Sequence, residues 1–249
     1  MGDFLVFRRW LLIVFVLIVS ILSLVEIDYA AETAQALKNK AKQYYWGQGV
    51  KQNYSKALVF YLQAAKRGDA ESQFISGGMY YRGLGVEKNF PAAFKLLHKA
   101  AINGKSSPES ERVIAQGFVQ GVGTYKNYQE AVHWYEQSAE HGDSEAQNTL
   151  GYMYYIGNGV EQDFSKGAAF FLQAANNNSA MAQYNVGIMY YTGKGVEDID
   201  YVKSYSWMNL AATNGHQPAI AARDYLETII SSEEIIEAQK YTAEISSLK

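Results

Sequence analysis

A pair of glycines separated by one residue recurs at a nearly fixed interval along most of this 249-residue chain. The successive steps are 36, 38, 36 and 36 residues, and the five pairs are Gly47/Gly49, Gly83/Gly85, Gly121/Gly123, Gly157/Gly159 and Gly193/Gly195. Self-similarity at a period of about 20–50 residues is typical of repeat proteins, in which each unit packs only on its neighbours. The period therefore predicts a stack of five similar units.

Each unit contains two helical patterns. Before the glycine pair, small and apolar residues recur at every fourth position, as at Ala146, Leu150 and Tyr154, and form one stripe of a helix. After the glycine pair, an Asn or Asp precedes an aromatic residue in every copy, and such a side chain caps a helix N-terminus. These capping pairs are Asn53-Tyr54, Asn89-Phe90, Asn127-Tyr128, Asp163-Phe164 and Asp200-Tyr201. We therefore expect five antiparallel helix pairs.

Glycine also recurs in the middle of the first helix, at one equivalent position occupied by Gly77, Gly151 and Gly187. Glycine costs a helix about 1 kcal/mol relative to alanine. Its recurrence therefore indicates that the backbone of a neighbouring helix passes close to this position. A larger side chain there is predicted to clash.

These motifs resemble the Sel1-like repeat family, which is related to the tetratricopeptide repeat. The fourth copy matches the family pattern at Ala146, Leu150-Gly151, Met153-Tyr154, Gly157-Asn158-Gly159-Val160, Asp163 and Ala174-Ala175. It departs at Gly167, where alanine is usual, and the third copy is the most divergent. The resemblance covers about residues 32–249. It implies an all-α, right-handed α-solenoid of antiparallel helix pairs and a role as an adaptor that assembles other proteins.

Three parts are predicted along the chain. Residues 1–30 form a signal anchor or a signal peptide, residues 31–214 contain five Sel1-like repeats, and residues 215–249 form C-terminal capping helices. The repeats span about 32–67, 68–103, 104–141, 142–177 and 178–214. Ser231 and Glu234 have the spacing of a capping box that opens the last helix.

The N-terminal part contains an apolar run, residues 10–25, directly after Arg8 and Arg9. A basic start followed by an apolar run is typical of a secretory signal. The two possible cleavage sites place Asp28 or Tyr29 where a small residue is required, which favours an uncleaved membrane anchor over a removed signal peptide. The arginines then place the repeats across the membrane from the cytoplasm, which is the periplasm in a bacterium. The alternative is export after cleavage.

Several functional classes find no support in the sequence. The net charge of −3 gives no positive field for nucleic acid, and the chain has no cysteine and only four scattered histidines. The glycine pairs end helices instead of following a strand, so they predict turns and not a nucleotide-binding loop. We therefore predict no catalytic, metal-binding or cofactor-binding residues and no small-molecule cofactor.

The first helices carry the one functional signal, because the positions opposite the packed stripe vary between copies and solenoids place groove contacts there. The second tyrosine of each Tyr-Tyr pair is angled toward a repeat seam or the open face. The candidate protein-binding groove comprises Asn148, Tyr152, Tyr155, Tyr184, Asn185, Ile188 and Tyr191. Tyr152 and Ile188 hold the same place in successive helices, and we expect both to lie outside the packed core.

Together these features predict a non-catalytic scaffold that holds a helical or extended segment of a partner protein in the groove, on the extracytoplasmic side of a membrane. An alternative is an exported envelope or virulence factor that contacts a host protein or a cell-wall polymer. A repeat-fold hydrolase is the least favoured class, since no nucleophile and base can be paired in the sequence.

Overall fold

The computed structural model describes residues 33–247, which contain α-helices and turns but no β-strand. The described part of helix α1 covers residues 33–46. Eleven helices follow it: α2 (Tyr54–Lys66), α3 (Ala70–Arg82), α4 (Phe90–Ile102), α5 (Pro108–Gln120), α6 (Tyr128–Glu140), α7 (Ser144–Ile156), α8 (Phe164–Asn176), α9 (Ala180–Thr192), α10 (Tyr201–Thr213), α11 (Gln217–Leu226) and α12 (Ser232–Ser247). The predicted all-α class is confirmed for this range.

The chain divides into two compact units, Met1–Lys105 and Ser106–Lys249. In the first unit, α1 shares a buried cluster with α2, α2 packs against α3, and α3 packs against α4. In the second unit each helix from α5 to α10 packs against the next one, and both α11 and α12 pack against α10. Within each unit the packing therefore joins neighbours in sequence, as expected for a repeat protein.

Local capping residues set the helix boundaries. The Asn53 side chain accepts a hydrogen bond from the backbone N–H of Lys56 at the start of α2, and Asp163 does the same for Lys166 at the start of α8. Helix α7 ends at Gly157, which has a φ of 77° and donates its N–H to the carbonyl of Met153. The predicted N-caps are confirmed at α2, α4, α6, α8 and α10.

The mid-helix glycines lie directly against the second helix of their own repeat. A Cβ atom built on Gly151 would lie 2.6 Å from Cδ1 of Phe171, and one built on Gly77 would lie 2.8 Å from Cγ of Leu97. Real Cβ contacts essentially never fall below 3.0 Å. The predicted close approach of the paired helices is therefore confirmed.

The two C-terminal helices close the second unit. Ser231 and Glu234 form the predicted capping box, in which the Glu234 carboxylate accepts from the Ser231 N–H at 2.7 Å and the Ser231 hydroxyl accepts from the Glu234 N–H at 3.2 Å. Leu226 and Ala238 are buried in one cluster with Met208 of α10. These helices therefore bury an apolar surface that the last helix pair would otherwise expose.

The predicted signal anchor or signal peptide, residues 1–30, lies outside the described residues. Within residues 33–247, no helix combines the length and the apolarity that crossing a membrane requires.

Candidate protein-binding face

The structure separates the seven predicted groove residues into two sets. Asn148, Tyr152 and Asn185 lie on a solvent-facing surface of α7 and α9, where Tyr152 is 57% exposed and the two amide side chains are half-buried. The other four are half-buried and contact neighbouring helices or turns; they are Tyr155, Tyr184, Ile188 and Tyr191.

Asn148, Tyr152, Met181 and Asn185 form what we call the α7–α9 face. The Asn185 side-chain amide donates to Oδ1 of Asn148 at 2.9 Å, and Nδ2 of Asn148 contacts Sδ of Met181 at 3.4 Å. Asn148 and Tyr152 are one turn apart on α7, and Met181 and Asn185 are one turn apart on α9, so each pair shares one side of its helix. We call the hydrogen-bonded pair Asn148 and Asn185 the amide rung. The face therefore combines this rung with an exposed aromatic side chain on α7 and an exposed methionine on α9.

Met181 is a member of this face that the sequence prediction missed. Its side chain is 55% exposed in the first turn of α9. The available signal was its position one helical turn before Asn185, on the same side of the helix.

The preceding first helix, α5, carries a charged residue at the position equivalent to Asn148. Arg112 of α5 lies 36 residues before Asn148, and its Nε donates to Asp143 at 3.0 Å while its Nη1 lies 3.1 Å from Glu145. Both carboxylates belong to the start of α7. The polar amide rung between α7 and α9 is thus preceded by an ion-pair link between α5 and α7.

The second tyrosines of the pairs have a recurrent structural role. Tyr155 packs edge-on against Phe164, the first residue of the following helix, with ring centroids 5.0 Å apart. The same contact occurs between Tyr45 and Tyr54, between Tyr81 and Phe90, and, with tilted rings, between Tyr191 and Tyr201. Tyr155 and Tyr191 are therefore held within the stack, and their part in partner binding stays a prediction.

Tyr191 also contacts the C-terminal cap. Its ring centroid lies 6.4 Å from that of Tyr225 in an edge-on arrangement. The pKa of Tyr191 is raised from its ordinary value, chiefly because of a side-chain hydrogen bond with Tyr225. This tyrosine therefore joins α9 to α11.

Ile188 and Tyr184 pack against the buried cluster that α10, α11 and α12 form. Ile188 packs against the buried cluster that contains Met208 and Leu226, and Tyr184 packs against the same cluster and the ring of His216, with centroids 4.9 Å apart. The expectation that Ile188 lies outside the packed core is therefore wrong. Residues of α11 and α12 belong to this cluster, and the repeat pattern does not encode them.

Helix pairs joined by capped turns, packed in sequence and presenting a first-helix face to solvent, define an α-helical repeat protein. A family model of the Sel1 repeat matches the chain in five segments, residues 41–69, 70–105, 112–143, 144–179 and 180–216. These segments cover more than half of the chain. The chain therefore belongs to the Sel1 repeat family.

Solved structures show the same fold. A Sel1 repeat protein from Oxalobacter formigenes is 32% identical, with a TM-score of 0.64 over 77% of this chain and 78% of that chain. A protective antigen of uropathogenic Escherichia coli strains is 29% identical, with a TM-score of 0.67 over 85% of this chain and 46% of that chain. The present chain thus spans less than half of that antigen.

A curated relative matches over a shorter stretch. The DAP3-binding cell death enhancer 1 of Rattus norvegicus is 40% identical over 58 residues, which is 23% of this chain and 11% of that protein. The present chain therefore spans about a tenth of the length of that relative.

Proposed function

We propose that this protein is a non-catalytic scaffold whose α7–α9 face binds an extended segment of another protein. The observation that carries the proposal is the amide rung of Asn148 and Asn185, with the exposed side chains of Tyr152 and Met181 beside it. Such a surface offers paired polar groups and apolar area in one place, which is what specific interfaces combine.

The amide rung has hydrogen-bonding groups that match those of a peptide main chain. A primary amide has two N–H donors and an oxygen with two acceptor sites, so the single bond between Asn185 and Asn148 leaves both side chains with spare donors and acceptors. An extended segment presents unpaired N–H and C=O groups along its length. The two asparagines could therefore hold a main chain without reading its side chains.

The flanking side chains supply the apolar part of the interface. Tyrosine offers a large rigid ring with a polar tip and is enriched at binding hot spots, whereas methionine adapts its shape to different partners. Tyr152 and Met181 are both more than half exposed, so neither is needed to fill the core. The name of the rat relative states that it binds DAP3, which supports a protein as the partner of this chain too.

A double substitution tests this function. We expect Tyr152→Ala with Met181→Ala to reduce partner capture by at least about tenfold, because the loss of even one interface anchor costs about 2 kcal/mol. The free energy of unfolding should change by less than about 0.5 kcal/mol, as is usual for substitutions at exposed positions. The melting temperature should therefore stay close to that of the unsubstituted protein. Pull-down with quantified bound protein and thermal unfolding by circular dichroism measure the two effects.

Tyr125→Ala is the matched control, because Tyr125 is 70% exposed in the turn after α5 and lies outside the α7–α9 face. It should capture the partner as the unsubstituted protein does. A folded double variant that still captures the partner at full level rules out this face. If the double variant and Tyr125→Ala lose partner capture equally, the capture is due to nonspecific binding by exposed tyrosines.

We further propose that residues 1–30 anchor the repeats on the extracytoplasmic side of a membrane, with removal of the segment after export as the alternative. The basic residues before the apolar run of residues 10–25 support insertion. An exported envelope or virulence factor that contacts a host protein or a cell-wall polymer is the alternative role.

Protein sequencing from the N-terminus distinguishes the anchor from the removed signal. We expect the protein in the membrane fraction to retain residues 1–25, because neither candidate cleavage site carries the small residues that cleavage requires. A mature chain that begins at or beyond Ala31 would show that the segment is a signal peptide. The matched control is an exported protein of the same cells with a known cleaved signal.

A further inference from the structure

Three repeats contain a buried glutamine in the first helix that joins the ends of two second helices. In the fourth repeat, Nε2 of Gln147 donates to the carbonyl of Ala139 at 3.1 Å, and its Oε1 accepts from Nδ2 of Asn177 at 3.0 Å. The same arrangement links Gln73 with Ala65 and Asn103, and Gln183 with Ala175 and Asn214. We call this arrangement the amide clasp. Its side chains do not titrate.

The third repeat replaces both amides with titratable side chains. Glu111 lies 36 residues before Gln147, and His141 lies 36 residues before Asn177. Oε2 of Glu111 is 2.8 Å from Nδ1 of His141, and Oε1 accepts from the Ser106 hydroxyl at 2.7 Å. The Glu111 side chain is 3% exposed, whereas that of His141 is 53% exposed. The buried carboxylate of Glu111 thus has as a hydrogen-bond partner a histidine that is exposed to solvent and can be protonated.

The charge of His141 determines how well the burial of Glu111 is compensated. A buried charge is costly unless it is paired and hydrogen-bonded, and a hydrogen bond from a cationic donor is stronger than one from a neutral donor. The pKa of His141 is raised above its ordinary value, chiefly by the hydrogen bond to Glu111 and also by the charges of Glu111 and Glu140.

Further charged groups lie next to the pair on α5, α6 and α7. On α5, the residue after Glu111 is Arg112, and its guanidinium contacts Asp143 and Glu145 at the start of α7. On α6, Glu140 precedes His141. The charge of Glu140 favours a protonated His141, whereas Asp143 and Glu145 are paired with Arg112.

We propose that the contact between Glu111 and His141 is a pH-sensitive version of the amide clasp, which holds α5 to the end of α6 most firmly when His141 is charged. The stabilisation is fully present below the unfolded-state value of about 6.5 for histidine and is lost as the pH rises through the higher folded-state value. The three amide clasps keep their bonds across this range. The third repeat is therefore the element of the second unit that loosens first toward alkaline pH.

Thermal unfolding of the full chain between pH 5.5 and pH 8.5 tests this clasp. The decisive variant combines Glu111→Gln with His141→Asn, which installs the amide pair that the other repeats already use. We expect the melting temperature of the unsubstituted protein to fall relative to that of the double variant as the pH rises. His133→Asn is the matched control, because His133 is exposed on α6 and should leave the pH dependence unchanged.

The same pH dependence in the unsubstituted protein and the double variant overturns the proposal. A second measurement covers the case in which the double variant fails to fold. Histidine NMR signals of the full chain should show His141 titrating above about 6.5, and Glu111→Gln should return the titration toward that value. A His141 signal that titrates at or below about 6.5 in the unsubstituted protein also overturns the proposal.

Discussion

Replacing Gly151 with leucine is expected to lower the free energy of unfolding by about 3 kcal/mol, the upper end of the usual cost of overpacking. The first added atom, Cβ, would lie 2.6 Å from Cδ1 and 2.8 Å from Cε1 of Phe171. That ring is 3% exposed and fixed inside the cluster that also buries Ala168 and Val186, so it has no free space to enter.

The backbone of the paired helix, α8, also leaves no space for a leucine side chain at position 151. A Cβ atom on Gly167 of α8 would lie 3.0 Å from the carbonyl oxygen of Gly151, which shows that the two helices are already close at this level. Moving α8 away to accommodate leucine would therefore open the buried apolar contacts along both helices. Urea unfolding monitored by circular dichroism measures the loss.

Gly78→Ala is the matched control. It also lies inside a first helix, but an added Cβ would meet only the end of the Arg82 side chain, at 3.9 Å. Since alanine is favoured over glycine in a helix by about 1 kcal/mol, this variant should be neutral or more stable. A Gly151→Leu protein that unfolds at the same urea concentration as the unsubstituted chain would contradict the close-approach interpretation.

The helix starts, turns and glycine contacts could be predicted from the sequence because each depends on short-range chemistry that recurs in phase. Asp163 caps α8 through the N–H three residues later, and Gly157 ends α7 through a left-handed conformation. The close packing at Gly151 was also predictable, since glycine is unfavourable in a helix and yet recurs at this position as Gly77, Gly151 and Gly187. These features need no knowledge of distant segments.

The binding face was only partly predictable, because exposure depends on what packs next to each repeat. Tyr152 and Ile188 occupy equivalent positions, yet Tyr152 is exposed and Ile188 packs against the cluster completed by α11 and α12. The cap departs from the repeat, so the repeat pattern carries no information about this contact. The pairing of Glu111 with His141 was missed for a related reason, since it appears only when equivalent side chains of successive repeats are compared in space.

The second glycine of three pairs, Gly85, Gly159 and Gly195, lies against the start of the preceding second helix, and Gly159→Ala is expected to disrupt that junction. A Cβ atom on Gly159 would lie 2.7 Å from Cβ and 2.8 Å from the carbonyl oxygen of Tyr128, at the start of the preceding second helix. A backbone oxygen cannot turn aside as the end of a side chain can. The φ of 81° adds a separate strain of about 1–2 kcal/mol for alanine.

Gly49→Ala separates these two effects. Gly49 has the same left-handed conformation, with a φ of 70°, but it belongs to the first copy, and an added Cβ would meet nothing within 4 Å among residues 33–247. We expect Gly49→Ala to lose only the strain of about 1–2 kcal/mol, and Gly159→Ala to lose a further 1–3 kcal/mol or so from the clash. Urea unfolding of the two variants beside the unsubstituted chain gives the difference. Equal losses would mean that the glycine is required by its conformation alone, and that contact with the preceding repeat adds nothing to the junction.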